Sequence, residues 1–103
     1  MTTINNNSTI TANGEYSFEP LNSGDEVLVE WEITAGTATV TPGRVTLSGA
    51  FKAVLPLDGT PPVFAATGGD CIISLGNSSK AALKVESAAG GFSMKVCQTK
   101  LPR

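Results

Sequence analysis

The stretch that most restricts what this chain can fold into is Asp25 to Thr34, which reads Asp-Glu-Val-Leu-Val-Glu-Trp-Glu-Ile-Thr. Val27, Val29, Trp31 and Ile33 fall on one parity, and Leu28, Glu30 and Glu32 fall on the other. Successive side chains of a strand leave opposite faces, so this run predicts a strand with one dry face and one mostly acidic, wet face. A strand covered on one side belongs to an antiparallel sheet packed against a second layer. The expected fold is all-β: a single antiparallel two-sheet β-sandwich.

Shorter runs repeat the pattern. Tyr16 and Phe18 share a face, as do Ala38 and Val40, then Val45 and Leu47. Phe51, Ala53, Leu55 and Leu57 form another in-phase set, followed by Ala81, Leu83 and Val85, and by Phe92, Met94 and Val96. Asn13-Gly14 reads as a hairpin turn, and Pro20 to Gly24, Pro42-Gly43, Gly76 to Ser79 and Ser87 to Gly91 read as further turns. Such short connections favour antiparallel neighbours. The count is eight or nine short strands, a pattern shared by jelly-roll and immunoglobulin-like orders. Asp58 to Asp70 is too rich in Pro and Gly for a regular element over most of its length.

A chain of 103 residues is one domain. Residues 1 to 14 are polar, with Ile4 and Ile10 as their large apolar side chains after Met1, and are expected to form an extended N-terminal arm that in a monomer is loosely attached or adds an edge strand, and in an oligomer lies on a neighbour. Residues 15 to 98 are assigned to the sandwich and 99 to 103 to a basic tail. The N-terminal residues lack the basic and apolar regions of a signal peptide, and no run is long enough to span a membrane. A cytoplasmic protein with no membrane partner is the expectation, or one that leaves the cytoplasm by a route other than a cleaved signal.

The net charge of −2 gives no reason to expect nucleic-acid binding. Its distribution is uneven: residues 1 to 43 hold six acids and no Lys or Arg, whereas residues 44 to 103 hold three acids and seven bases. Opposite charges meeting on neighbouring strands of one monomer is the simpler expectation, and complementary faces between subunits the sharper one.

Histidine is absent, which removes the commonest general base, the usual partner of a nucleophilic Ser or Cys, and the commonest metal ligand. Glu30 and Glu32 are neighbours on a wall, not a pair facing across a substrate. Gly68-Gly69-Asp70 and Gly90-Gly91 lack a following Walker lysine, and Asn22, Asp25 and Glu26 lack EF-hand spacing. No catalytic, cofactor-binding or metal-binding residue is expected. Cys71 is in phase with inward Ile73 and Leu75, whereas Cys97 is out of phase with Met94 and Val96, which argues against a disulfide. Asn6, Asn7 and Asn77 begin Asn-x-Ser/Thr triplets, which mean little without a secretory signal. Trp31 and Tyr16 sit on apolar parities and are expected in the core; Phe64 either plugs one end of the sandwich or is the candidate exposed ring.

With its Asn/Thr-rich segment at Thr2 to Thr11, its Gly-Asp-Glu-Val entry at Gly24 to Val27, its His-free composition and its short alternating strands, the chain resembles small virion accessory β-sandwich proteins of tailed bacteriophages, of the head-decoration or fibre-associated type. The resemblance implies a non-enzymatic structural protein located in the virion. It also implies a homo-oligomer, with a trimer favoured, that touches shell or fibre proteins. Ile4 and Ile10 in the arm and Val63 and Phe64 in the long loop are the expected partner contacts. The alternative expectation is a carbohydrate- or cell-surface-binding module that uses the loop at one end of the sandwich.

Overall fold

The computed structural model describes residues 1–57, 59, 64–66 and 68–102, of which 64–66 are described by backbone alone. Among them are ten strands and no helix: β1 (Thr2–Ile4), β2 (Thr9–Ile10), β3 (Gly14–Phe18), β4 (Glu26–Ala35), β5 (Ala38–Val45), β6 (Phe51–Ala53), β7 (Phe64–Ala66), β8 (Gly68–Ser74), β9 (Ala81–Glu86) and β10 (Ser93–Lys100). One sheet runs β1-β3-β9-β5-β6 with β7 also on β5; the other runs β2-β10-β4-β8. All pairs are antiparallel except β1 with β3. This is the expected two-sheet sandwich, and β4 lies inside the four-stranded sheet with β10 and β8 on its two sides.

The inward faces follow the predicted parities in most strands. Val27, Val29 and Trp31 of β4 are buried with Cys71 and Ile73 of β8 and Met94 and Val96 of β10. Across from them lie Phe18 of β3, Val40 of β5, and Leu83 and Val85 of β9. Each such side chain contributes roughly 1.5 to 3 kcal/mol when fully removed from water, so the shared core is what holds the two sheets face to face.

Connectivity departs from the hairpin expectation. Among the described residues only β5 and β6 are both consecutive and paired. At almost every other step the chain crosses from one sheet to the other, so that β2, β4, β8 and β10 alternate with strands of the larger sheet. Asn13-Gly14 is accordingly no hairpin turn, since β2 and β3 belong to different sheets. At the β4-to-β5 crossing, Gly36 has φ +71°, and an added Cβ would stand 2.9 Å from the Gly91 carbonyl oxygen, so the crossing needs both the left-handed backbone and the missing side chain.

Pro42-Gly43 is not a turn either, because β5 passes straight through it. The Pro42 carbonyl accepts the Val54 N–H at 3.1 Å, on the side away from β9. A strand residue presents its N and its carbonyl to the same side, so the N–H that proline lacks faces the junction between β6 and β7 and not the β9 ladder. Gly43 then lets the Phe51 ring lie on its bare Cα, 2.7 Å from where a Cβ would be.

Of the courses open to the N-terminal segment, it takes that of edge strands on the chain's own sheets. β1 adds a parallel edge to β3, β2 caps the edge of β10, and Ile4 and Ile10 are only 7% and 2% exposed. The two strands complete opposite sheets, which puts both isoleucines into the common core. The expected basic tail also shortens, because β10 continues to Lys100 opposite Val27 and Leu101 N–H donates to the Glu26 carbonyl at 2.9 Å. Within Asp58 to Asp70, regular structure is more extensive than expected, with β7 and the start of β8 inside it.

Candidate interaction surfaces

Of the four residues expected to touch a partner, Ile4 and Ile10 are buried in the chain's own core, and this corrects that assignment. Phe64 begins β7, where its backbone pairs with Val40. Val63 lies outside the described residues. The segment expected to be mostly irregular thus runs, from Phe64 to Ala66, as a strand laid along β5.

Leu55 and Leu57 were expected inward with Phe51 and Ala53, yet they are 71% and 53% exposed. Val54 N–H bonds to Pro42 in the larger sheet and Leu57 N–H bonds to the Ile72 carbonyl in the smaller, so residues 54–57 bridge the rim between the two sheets. Pro56 is buried and Val54 packs against the core, leaving Leu55 and Leu57 turned outward. The parity is constant through the segment: Lys52 shares a face with Arg44 and with the buried Ala81, so 52, 54 and 56 take the inward side and 51, 53, 55 and 57 the outward one. Leu47, also expected inward, stands at the tip of the Thr46–Ala50 turn and is 85% exposed. Val54 and Pro56 are apolar as well as Leu55 and Leu57, so the sequence offers both phases and the docking of β6 on β5 selects between them.

Next to this ridge, the outer face of the four-stranded sheet carries Leu28 directly opposite Ile72, both half-buried. Beyond them Glu30 stands opposite Asp70, and Glu32 stands opposite Lys95 on the other side. A shallow recess of about 300 Å³ lies over this row, lined by Asn7, Glu30, Glu32, Lys95 and Cys97 among others. The wet acidic face read from the β4 alternation is therefore present, and its acids are surface neighbours with a lysine among them.

The other residues weighed for chemistry are occupied structurally. Asp25 is buried: its Oδ2 accepts the Asn22 N–H at 3.0 Å and lies 3.8 Å from Lys100 Nζ, which closes the β4 entrance as a capped turn. Among the described residues, no group of three or more His, Cys, Asp or Glu is placed to hold a metal ion. Cys71 and Cys97 are not joined by a disulfide; they lie on β8 and β10, on either side of β4 and on opposite faces, as their parities predicted. Trp31 and Phe18 are buried, and the half-buried Tyr16 packs on the core while its hydroxyl donates to the Ala12 carbonyl. Asn6 uses its amide twice on the Gln98 backbone, donating to the carbonyl at 3.2 Å and accepting the N–H at 2.8 Å.

No family model matches the chain, and no curated protein matches it. Among solved structures it is similar to the pre-peptidase C-terminal domain of a collagenase from Bacillus anthracis, at 15% identity over 95% of this chain and 93% of that one, with a TM-score of 0.49. At that score and identity the likeness assigns no role to any residue.

Proposed function

We propose that this chain is a non-enzymatic structural or assembly protein that works as a homo-oligomer through protein–protein contacts, in the manner of a tailed-phage virion accessory component. The observation that carries the reading is the ridge of Leu55 and Leu57, two leucines more than half exposed beside the Leu28–Ile72 pair. Large apolar side chains grouped on a rim are surface that association removes from water, at about 25 cal/mol per Å². Residues 54–57 carry no charge, so a second copy of the same chain meets no like-charge repulsion along the ridge. The burial of Trp31 and the tethering of Tyr16 also favour assembly over sugar binding, which needs rings displayed side by side. The virion setting is carried by the resemblance of the sequence alone.

The test is the solution mass by light scattering of the wild type and of the double variant Leu55→Ser, Leu57→Ser. A multimer that falls to monomer in the variant, with unchanged circular dichroism, is the expected result. A wild-type monomer across the accessible concentration range would overturn the homo-oligomer.

A further inference from the structure

At the far end of β5 the register sets two bases side by side. Arg44 pairs directly with Lys52 of β6, and directly opposed residues project from the same face, where like charges repel. Both line a recess of about 320 Å³ whose remaining wall includes Thr46, Ser48, Asn77 and Ser78. Among the described residues no acid is part of that wall. Among the described residues the ion pairs are Lys84 with Glu86 and Lys100 with Asp25, so neither Arg44 nor Lys52 is neutralised there.

Arg44 is nevertheless held in place. Its Nη1 donates to the Leu75 carbonyl at 2.8 Å, which leaves the other N–H groups of a planar fork to serve a ligand. Ser48 Oγ, 3.1 Å from Thr46 Oγ1, and the Asn77 amide add donors that carry no charge. Two unneutralised bases on one face, with hydroxyl and amide groups around them, match a compact dianion better than any neutral ligand.

We propose that this recess binds a tetrahedral oxyanion, phosphate or sulfate, with Arg44 and Lys52 supplying the charge and Ser48 and Asn77 supplying directed hydrogen bonds. The inference does not depend on oligomerisation. Such an anion is either free or carried as an ester on a sugar, and the two sources differ only in what extends out of the recess.

The test is a titration of the isotope-labelled protein by amide NMR at constant ionic strength, with inorganic phosphate, inorganic sulfate, glucose 6-phosphate, glucose and chloride. Saturable shifts confined to residues 44–52 and 76–80 are expected with the oxyanions and not with glucose or chloride. Lys52 is exposed, so Lys52→Gln folds; it should bind phosphate about tenfold more weakly and lose the rise in melting temperature that phosphate gives the wild type. Tighter binding of glucose 6-phosphate than of phosphate identifies an esterified source, and equal binding a free ion. Shifts that chloride reproduces, or a Lys52→Gln protein that binds phosphate as well as the wild type, would overturn the proposal.

Discussion

The guanidinium of Arg44 occupies the space that a side chain on Gly76 would need, and it is pinned there by its hydrogen bond to the neighbouring Leu75 carbonyl. Gly76 has φ +57°, so two independent constraints fall on one residue. The contact ties the end of β5 to the turn after β8, which is how a strand of one sheet is held to a turn leaving the other.

Gly76→Ala should therefore cost about 2 kcal/mol, from left-handed strain together with loss of the Arg44 bond. Gly90, with φ +69° and nothing within 4 Å of a built Cβ, isolates the backbone contribution. Gly90→Ala should cost about 1 kcal/mol in the same urea titration. The excess at Gly76 should vanish in an Arg44→Ala background; an excess that persists would mean the guanidinium is not its source.

Ile10→Ala should destabilise the monomer fold by about 2 to 5 kcal/mol, as expected for a buried isoleucine truncated in a packed core. Because total stability of a domain is only about 5 to 15 kcal/mol, the loss should be plain in thermal unfolding. A change in oligomer mass with unaltered melting would instead mark Ile10 as a subunit contact.

Asn6 and Asn13 act as edge strands one residue long. Asn13 donates to the Ser87 carbonyl at 3.3 Å and accepts its N–H at 2.9 Å, as Asn6 does with Gln98. Asn6→Ala should cost about 1 to 2 kcal/mol and raise the exchange rate of the Gln98 amide selectively. Unchanged Gln98 exchange would show that another group covers that edge.

Glu30 and Asp70 stand directly opposite one another on the wet face of β4 and β8. Asp70→Lys should turn a repulsive cross-strand pair into an attractive one and raise stability by a few tenths of a kcal/mol at low salt, fading as salt is added. A salt-independent change would assign the effect to strand propensity.

Cys97 is half-buried and Cys71 is fully buried. Under native conditions a thiol reagent should label Cys97 first, with Cys71 labelled only on unfolding, and reductant should leave the melting temperature unchanged. Equal labelling of the two would contradict their opposite facing.

The sequence by itself determined which side of most strands is dry, because side-chain alternation is local: Val27, Val29 and Trp31, then Leu83 and Val85, then Met94 and Val96 all face inward as their spacing required. Local spacing also separated Cys71 from Cys97. Strand partners were not legible, since alternation names a face and not a neighbour. Asn13-Gly14 looks like a hairpin turn whether the next strand pairs or crosses to the other sheet, and Pro42 looks like a break until its missing N–H is seen to face the β6–β7 junction. An added edge strand was one reading of the N-terminal segment, but which edges β1 and β2 take, and so the burial of Ile4 and Ile10, is set by the finished sheets. The outward turn of Leu55 and Leu57, and the meeting of Arg44 with Lys52, likewise followed from how the rim segment and β6 dock. Those placements belong to the tertiary structure, because each is decided by contacts between residues far apart in the chain or by a register that no single segment carries.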